Sequence, residues 1–288
     1  MCTRNRPEDL RRVLASLAWQ TVRCSQILVI DDSDPTMRGV SEAACVFSDP
    51  PAELHRKDEP GLTASRNLAI GLSNGEITVF FDDDVVLRPD YLERIADSFA
   101  HDPDLVGAGG SVDDDHLYGW TLVRRLLMVP GKPTGKVYRS GWSTPLPRGE
   151  SGTVHHLIGC NMAYRTEVLR QYRFDDTFRG YALGEDLEFS HRLHLDGHRL
   201  VCVGSARLWH LTALPRADRA WGYREMVIRP QVAGRRFSRV AFLISSSSFL
   251  LVNLLKNRER AAGNLAGMRD VMLGRPPRDL QTLRKAIR

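Results

Sequence analysis

The sequence predicts an α/β protein built on a mainly parallel sheet with helices on both faces, followed by a helical C-terminal extension. Strand-like and helix-like segments alternate over residues 1–100. Two apolar strand-like runs end in acidic clusters, at residues 31–32 and 82–84. Beyond Pro215 the strand pattern stops and the composition turns basic. Together these divide the chain into a body over residues 1–215 and an extension over 216–288.

The elements follow in order. Pro7 suits the first turn of a helix, and Leu10, Val13, Leu14 and Leu17 then recur at helical spacing. Gln26-Ile27-Leu28-Val29-Ile30 is an apolar run of buried-strand type that ends in Asp31-Asp32. Gly61 to Leu72 reads as a helix closed by Asn74-Gly75. Ile77-Thr78-Val79-Phe80-Phe81 is a β-branched and aromatic strand ending in Asp82-Asp83-Asp84. Pro89 to Phe99 is helical again. Open α/β sheets take ligands at the carboxyl ends of their strands, so both acidic clusters are expected at that edge.

Residues 130–153 are rich in Gly, Pro and Ser and read as a long loop, either a lid or a surface segment. In the extension, Trp221 to Val232 is expected to be helical. Val240 to Leu255 is an uncharged run between Arg239 and Lys256, interrupted by Ser245-Ser246-Ser247-Ser248. It falls short of the ~20 apolar residues of a straight membrane span. It therefore reads as a helix lying on a membrane surface or as one packed on the body. A third helix, Ala261 to Met272, stops at Gly274 and Pro276-Pro277.

With 288 residues, 42% hydrophobic and 26% charged, the chain has the make-up of an ordinary soluble domain with an appendage. Its net charge of +5 hides an asymmetry. Residues 216–288 carry 16 Lys/Arg against 5 Asp/Glu, a net +11, which leaves −6 on residues 1–215. A basic extension on an acidic body points to an anionic surface. Its long apolar stretches and few aromatics suit lipid headgroups rather than nucleic acid. The five cysteines are scattered and form no CxxC pair, which argues against a zinc knuckle or a disulfide scaffold. They suit a reducing, cytoplasmic compartment. No apolar run of secretory type opens the chain.

Asp82-Asp83-Asp84 carries the strongest chemical signal. Carboxylates are hard oxygen ligands that suit Mg²⁺ or Mn²⁺ bridging a diphosphate, and three adjacent like charges repel without a cation. The alternative is a solvated acidic turn. Glu185 and Asp186, in Gly184-Glu185-Asp186-Leu187, fall in the first turn of a helix, where the dipole favours carboxylates. That placement serves stability alone or lets one carboxylate accept a proton during attack. Arg66 could face a phosphate or solvent. His210 could be a further metal ligand or a structural histidine, and His155-His156 reads as structural. No Walker or dinucleotide glycine loop is present.

Thr3-Arg4-Asn5-Arg6-Pro7, Leu28 to Asp32, Gly61 to Asn67, Phe81 to Asp84, Gly159-Cys160-Asn161-Met162-Ala163 and Gly184-Glu185-Asp186, in this order, resemble the family 2 glycosyltransferases. The resemblance covers residues 1–212 and implies the GT-A fold and an inverting transfer from a nucleotide-sugar donor. It implies that Thr3, Arg4, Asn5, Arg6 and Asp32 line the nucleotide pocket, with Arg66 nearby. It implies that Asp82, Asp83 and Asp84 form the Asp-x-Asp region, with Asp84 and Asp82 as metal ligands joined by His210. Asp186 would be the base, with Glu185 beside it on the acceptor, and Gly159 and Asn161 would border the sugars. Such chains usually open on a full apolar strand, whereas Met1 here falls inside it.

Mn²⁺ or Mg²⁺ is thus the expected cofactor. The expected partners are a nucleotide-sugar donor, a glycan or lipid-linked acceptor and an anionic membrane at the inner face of the cell membrane. Two rivals share part of the pattern. A sugar-1-phosphate nucleotidyltransferase would release pyrophosphate, and it normally carries the glycine-rich loop absent here. A non-catalytic sugar-binding module would not need both acidic sites.

Overall fold

The computed structural model describes residues 1–45, 50–113, 133–178, 182–211 and 218–277. The chain divides into two units. The first comprises Met1–Leu117, Pro133–Gly135 and Leu146–Thr212, and the second comprises Tyr118–Lys132, Lys136–Pro145 and Ala213–Arg288.

The first unit alternates as its sequence pattern dictates. In chain order its elements are β1 (Cys2–Thr3), α1 (Pro7–Ala18), β2 (Ile27–Asp31), α2 (Val40–Cys45), β3 (Ala52–Arg56), α3 (Leu62–Leu72), β4 (Ile77–Phe81), β5 (Val85–Leu87), α4 (Tyr91–Ala100) and β6 (Leu105–Val112). There follow β7 (Gly152–Thr153), β8 (Asn161–Arg165), α5 (Thr166–Gln171), α6 (Glu185–Leu195) and β9 (Arg199–His210). Pro7 does stand at the start of α1. Gly184, at the head of α6, has φ of 83°, the left-handed region open to glycine. That turn places Glu185 and Asp186 at the first two positions of the helix.

β1, β2 and β3 form a parallel sheet in that order. The short β1 is pinned in register: the Met1 ammonium donates to Leu28 O at 2.7 Å and Ile30 N–H donates to Met1 O at 2.8 Å. A parallel bridge from Cys2 to Asp82 links this sheet to the second, whose order is β4-β8-β6-β9-β5, with β7 on β9. The second sheet is mixed. β6 and β9 run parallel, while β4–β8, β6–β8, β5–β9 and β7–β9 are antiparallel. The parallel rhythm read from the sequence thus holds through β3 and recurs in the β6–β9 pair, while the other pairs of the second sheet run antiparallel.

Burial explains the strand composition. All eight residues of β6 are buried, and Gly110 is forced there: a Cβ would meet Ala206 O at 2.4 Å and the Tyr91 ring at 2.5 Å. Leu10, Val13 and Leu14 of α1 and Tyr91 and Ile95 of α4 join one apolar cluster. Tyr164, Phe174 and Phe189 join another, in which Phe174 and Phe189 stack at 4.1 Å.

The second unit holds α7 (Arg219–Val227), α8 (Arg229–Ala233), a 3₁₀ turn (Gly234–Arg236), α9 (Arg239–Lys256) and α10 (Arg258–Met272). The single helix expected over Trp221–Val232 is divided at Ile228. Pro230, near the start of α8, lacks the N–H that would continue the ladder and clashes with the preceding turn. Ser238 and Asn257 cap α9 and α10 with their side chains, which moves the start of α10 forward from Ala261. α7 and α10 approach closely because Gly263 has no side chain; a Cβ there would meet Arg219 O at 2.0 Å. In the region expected as one loop, Val137 bridges Ser143, Trp142 packs on Phe249 at 4.4 Å, and residues 130–132 lie outside the described residues.

Candidate active site

The site grows from the ends of β4 and β9. β5 pairs antiparallel with β9 so that Val85 faces His210. That register brings His210 to the acidic turn: its Nε2 lies 3.0 Å from Asp84 Oδ1, and Asp84 O accepts from Leu211 N–H at 2.8 Å. Ligand atoms of Asp82, Asp84 and His210 all lie within 4.8 Å of one another. Two carboxylates with one imidazole, near the surface but sheltered, fit a divalent cation of the Mn²⁺ or Mg²⁺ kind.

Asp83 turns the other way. It accepts from Thr3 Oγ1 at 2.8 Å and from Arg6 Nη1 at 3.2 Å, and the same Arg6 nitrogen reaches Asp84 Oδ2 at 3.0 Å. Burial pushes the Asp83 carboxyl up to about 6, against the pull of Thr3 and Arg6. Burial also acts upward on Asp84, but the hydrogen bond and charge of His210, with Arg6, outweigh it and hold that carboxyl below its usual range. Two adjacent acids are therefore driven apart in proton affinity by their neighbours.

Arg66 joins the two halves of the site. Its side chain is only 3% exposed. Nη1 donates to Glu185 Oε1 at 2.5 Å, and Nη2 donates to Asp82 Oδ1 at 3.4 Å and to Gly159 O at 3.2 Å. Gly159 N–H in turn donates to Asp186 Oδ2 at 2.7 Å, while Leu187 N–H donates to Asp186 Oδ1 at 2.8 Å. One guanidinium thus ties the acidic turn after β4 to the head of α6. Burial acts against the charge on Arg66, yet Glu185 and Asp82 outweigh it and push its pKa up. Burial raises Glu185 to about 8, with Asp186 adding to the shift and Arg66 opposing it.

A third cluster lies at the ends of β2 and β3. Asp32 accepts from Gly61 N–H at 2.9 Å and from Ser65 Oγ at 2.8 Å, and Lys57 Nζ stands 3.3 Å from it. Lys57 was not singled out from sequence. It directly follows β3, so the strand-end rule that found Asp32 could have found it. Asp31 is also buried and accepts from Ser33 N–H and from Arg56 Nε.

The structure gathers Thr3, Arg6, Asp82, Asp83, Asp84 and His210 around one acidic turn, and Arg66, Gly159, Glu185 and Asp186 beside it. Arg4 and Asn5 engage Asp34, at 3.3 and 2.7 Å, on an exposed turn where Asn5 has φ of 58°. Arg66, expected near the nucleotide pocket, finds its partners in Glu185, Asp82 and Gly159. Asn161, expected at the sugar boundary, is fully buried opposite Phe81 and donates to Gly110 O at 3.2 Å. His155 stacks on His194 at 4.1 Å.

Residues 1–173 match the family model described as Glycosyl transferase family 2. The glucosyl-dolichyl phosphate glucuronosyltransferase of Haloferax volcanii is 29% identical over 112 residues, 38% of this chain and 35% of its own. The mannosyltransferase PcManGT from Pyrobaculum calidifontis, solved with GDP-Man and Mn²⁺, superposes with a TM-score of 0.55 at 19% identity, over 94% of this chain and 79% of its own. GalNAc-T7, solved with UDP, GalNAc and Mn²⁺, gives a TM-score of 0.57 at 16% identity, over 72% of this chain and 41% of its own. At such identities the likeness speaks to fold, and the fold is of the GT-A type. The chain spans between about a third and just over half of the curated relatives it matches, 35%, 38% and 56% of their lengths.

Two outcomes follow from this geometry. Arg66→Ala leaves the buried Glu185 carboxyl without its partner and should lower unfolding free energy by about 3–5 kcal/mol, read from urea denaturation; an unchanged midpoint contradicts the bridging role. Asp83 has a folded pKa raised to about 6, so the stability it contributes is complete below its unfolded value near 4 and is lost as pH rises through 6. Asp83→Asn should flatten that decline, worth up to about 3 kcal/mol, when unfolding is compared at acid and neutral pH.

Proposed function

This chain belongs to glycosyl transferase family 2, and from that premise we propose that it transfers a sugar from a nucleoside-diphosphate sugar to an acceptor hydroxyl, with inversion at the anomeric carbon. The observation that carries the reading is the Arg66 bridge. Asp82 of the candidate metal cluster and Glu185 at the head of α6 share one guanidinium, which also donates to the carbonyl of Gly159, and the N–H of that same residue donates to Asp186. Donor and acceptor chemistry can therefore meet within one sugar's reach.

Asp82, Asp84 and His210 would hold Mn²⁺ or Mg²⁺, which when bound neutralises charge on the departing nucleoside diphosphate. Thr3 and Arg6, through Asp83 and Asp84, hold the acidic turn in place. Asp32, set by Gly61 and Ser65 and flanked by Lys57, offers carboxylate oxygens to the N–H groups of a base. Arg4 and Asn5 close the outer edge of that pocket. Asp186 takes the proton of the attacking hydroxyl, a contribution of about 10²- to 10⁴-fold. Its two oxygens already accept backbone N–H groups, so its orientation precedes substrate binding. Glu185 and the peptide at Gly159 border the acceptor, with Asn161 supporting the strand beneath.

Residues 1–215 would carry this chemistry and 216–288 the attachment to an anionic surface. The net +11 of the extension supports that division. A membrane contact on the cytoplasmic side in turn supports a lipid-linked or growing glycan acceptor, as in polysaccharide, glycolipid or cell-envelope synthesis.

Asp186→Asn should abolish transfer, by at least about 10²-fold, while nucleotide-sugar binding in calorimetry stays near the parent's; retained turnover discards the assignment. Asp84→Ala should weaken donor binding only when Mn²⁺ is present. The product should be the nucleoside diphosphate, and release of pyrophosphate would instead mark a nucleotidyl transfer.

A further inference from the structure

The helical unit buries one side of α9 and leaves the other to solvent. Phe242, Ser246, Phe249 and Asn253 are the buried residues of the helix, and the two phenylalanines pack with Met226 and Met268. Val240, Leu243, Ile244, Leu251, Leu254 and Leu255 are exposed, Val240 by 69% and Leu255 by 84%. At 3.6 residues per turn these six fall in one band roughly 120° wide, opposite the buried residues. Ser247 is exposed within the same band, so the apolar surface gathers at the two ends of the face, Val240 with Leu243 and Ile244, and Leu251 with Leu254 and Leu255. Apolar surface of this kind facing water marks an interaction site.

Cations bracket the band. Arg235 and Arg236 precede the helix, Arg239 opens it, Lys256 closes it and Arg258 begins α10. An apolar stripe between cationic ends complements the acyl boundary and phosphates of an anionic lipid surface. A second copy of the chain fits less well. Whether two such stripes pair parallel or antiparallel, cationic ends meet cationic ends.

We infer that α9 lies in the plane of an anionic bilayer, with the Val240-to-Leu255 stripe sunk into the acyl boundary and the bracketing Arg and Lys residues on lipid phosphates. This deepens the anionic-surface reading above and does not depend on glycosyl transfer. Length alone does not fix the orientation. The 18 residues of α9 reach ~27 Å, close to the ~30 Å of a hydrocarbon core. Among the described residues it is the one helix long and apolar enough to cross. The buried side decides for the in-plane arrangement. Asn253 donates to Asn264 Oδ1 at 2.7 Å, and Asn264 donates to Gly222 O at 2.8 Å. A span would have to break this network or carry α10 with it, and α10 bears Arg258, Glu259, Arg260, Arg269 and Asp270.

Co-sedimentation of the full chain with vesicles tests the inference, using phosphatidylcholine alone and phosphatidylcholine mixed with phosphatidylglycerol. Binding should require the anionic lipid and fall as salt is raised. The triple variant Leu251→Gln, Leu254→Gln, Leu255→Gln should bind at least about ten-fold more weakly while unfolding at the parent's urea midpoint. Tryptophans placed singly by Val240→Trp and Leu255→Trp should be quenched alike by lipids brominated at one depth. No binding by the parent chain, equal binding by the triple variant, or quenching at different depths overturns it. So does a dimer of the parent chain, seen by sedimentation in the absence of lipid, that the triple variant loses. No donor sugar enters the assay, so it can fail while transfer succeeds, and the reverse.

Discussion

The buried guanidinium of Arg66 is the constraint on which the rest of the site depends. A charge with 3% exposure must find counter-charges inside the protein. It finds the Asp82 carboxylate and a hydrogen-bonding partner in Glu185, which come from segments 103 residues apart in the chain. Its fork also takes the Gly159 carbonyl, so the turn after β4, the segment before β8 and the head of α6 are held around one planar group. Breaking the arm to Glu185 leaves a buried acid without its partner, which costs more than the pair itself contributes.

The sheet delivers these loops with little freedom. The bridge from Cys2 to Asp82 puts Thr3 beside Asp83, and the antiparallel return of β9 along β5 puts His210 beside Asp84. The turn of three aspartates therefore splits its functions by direction. Asp83 faces Thr3 and Arg6 and is pushed toward its neutral form by burial, while Asp84 faces His210 and Arg6 and stays ionised. The left-handed Gly184 starts α6 where Glu185 meets Arg66 and Asp186 meets the Gly159 peptide. Backbone geometry, more than side-chain length, sets the spacing between the candidate metal acids and the candidate base.

Much of this was legible in residue order. The β-branched run before Asp82, the apolar run before Asp31 and the Gly-Glu-Asp start of α6 each announce an element and its functional end. What stayed hidden depends on long-range pairing. Nothing local shows that Arg66 reaches Glu185, or that Asn161 faces the core against Gly110. Lys57 escaped because its strand, Ala52–Arg56, is short and polar and lacks the apolar run that flags a strand. The reversals of β8 and β5 stayed hidden because direction is set by long-range pairing, which a run of three to five residues does not encode. In the extension, Pro230 marked a break in a helix that periodicity alone runs through.

The most direct measurement is anomalous diffraction from a crystal grown with Mn²⁺ and a nucleoside diphosphate. The account predicts one strong manganese peak among Asp82, Asp84 and His210, with the diphosphate on it and the Asp186 carboxylate across the same opening. A manganese peak on other residues, or a nucleotide held on a surface that Arg66 and Asp186 do not border, contradicts it.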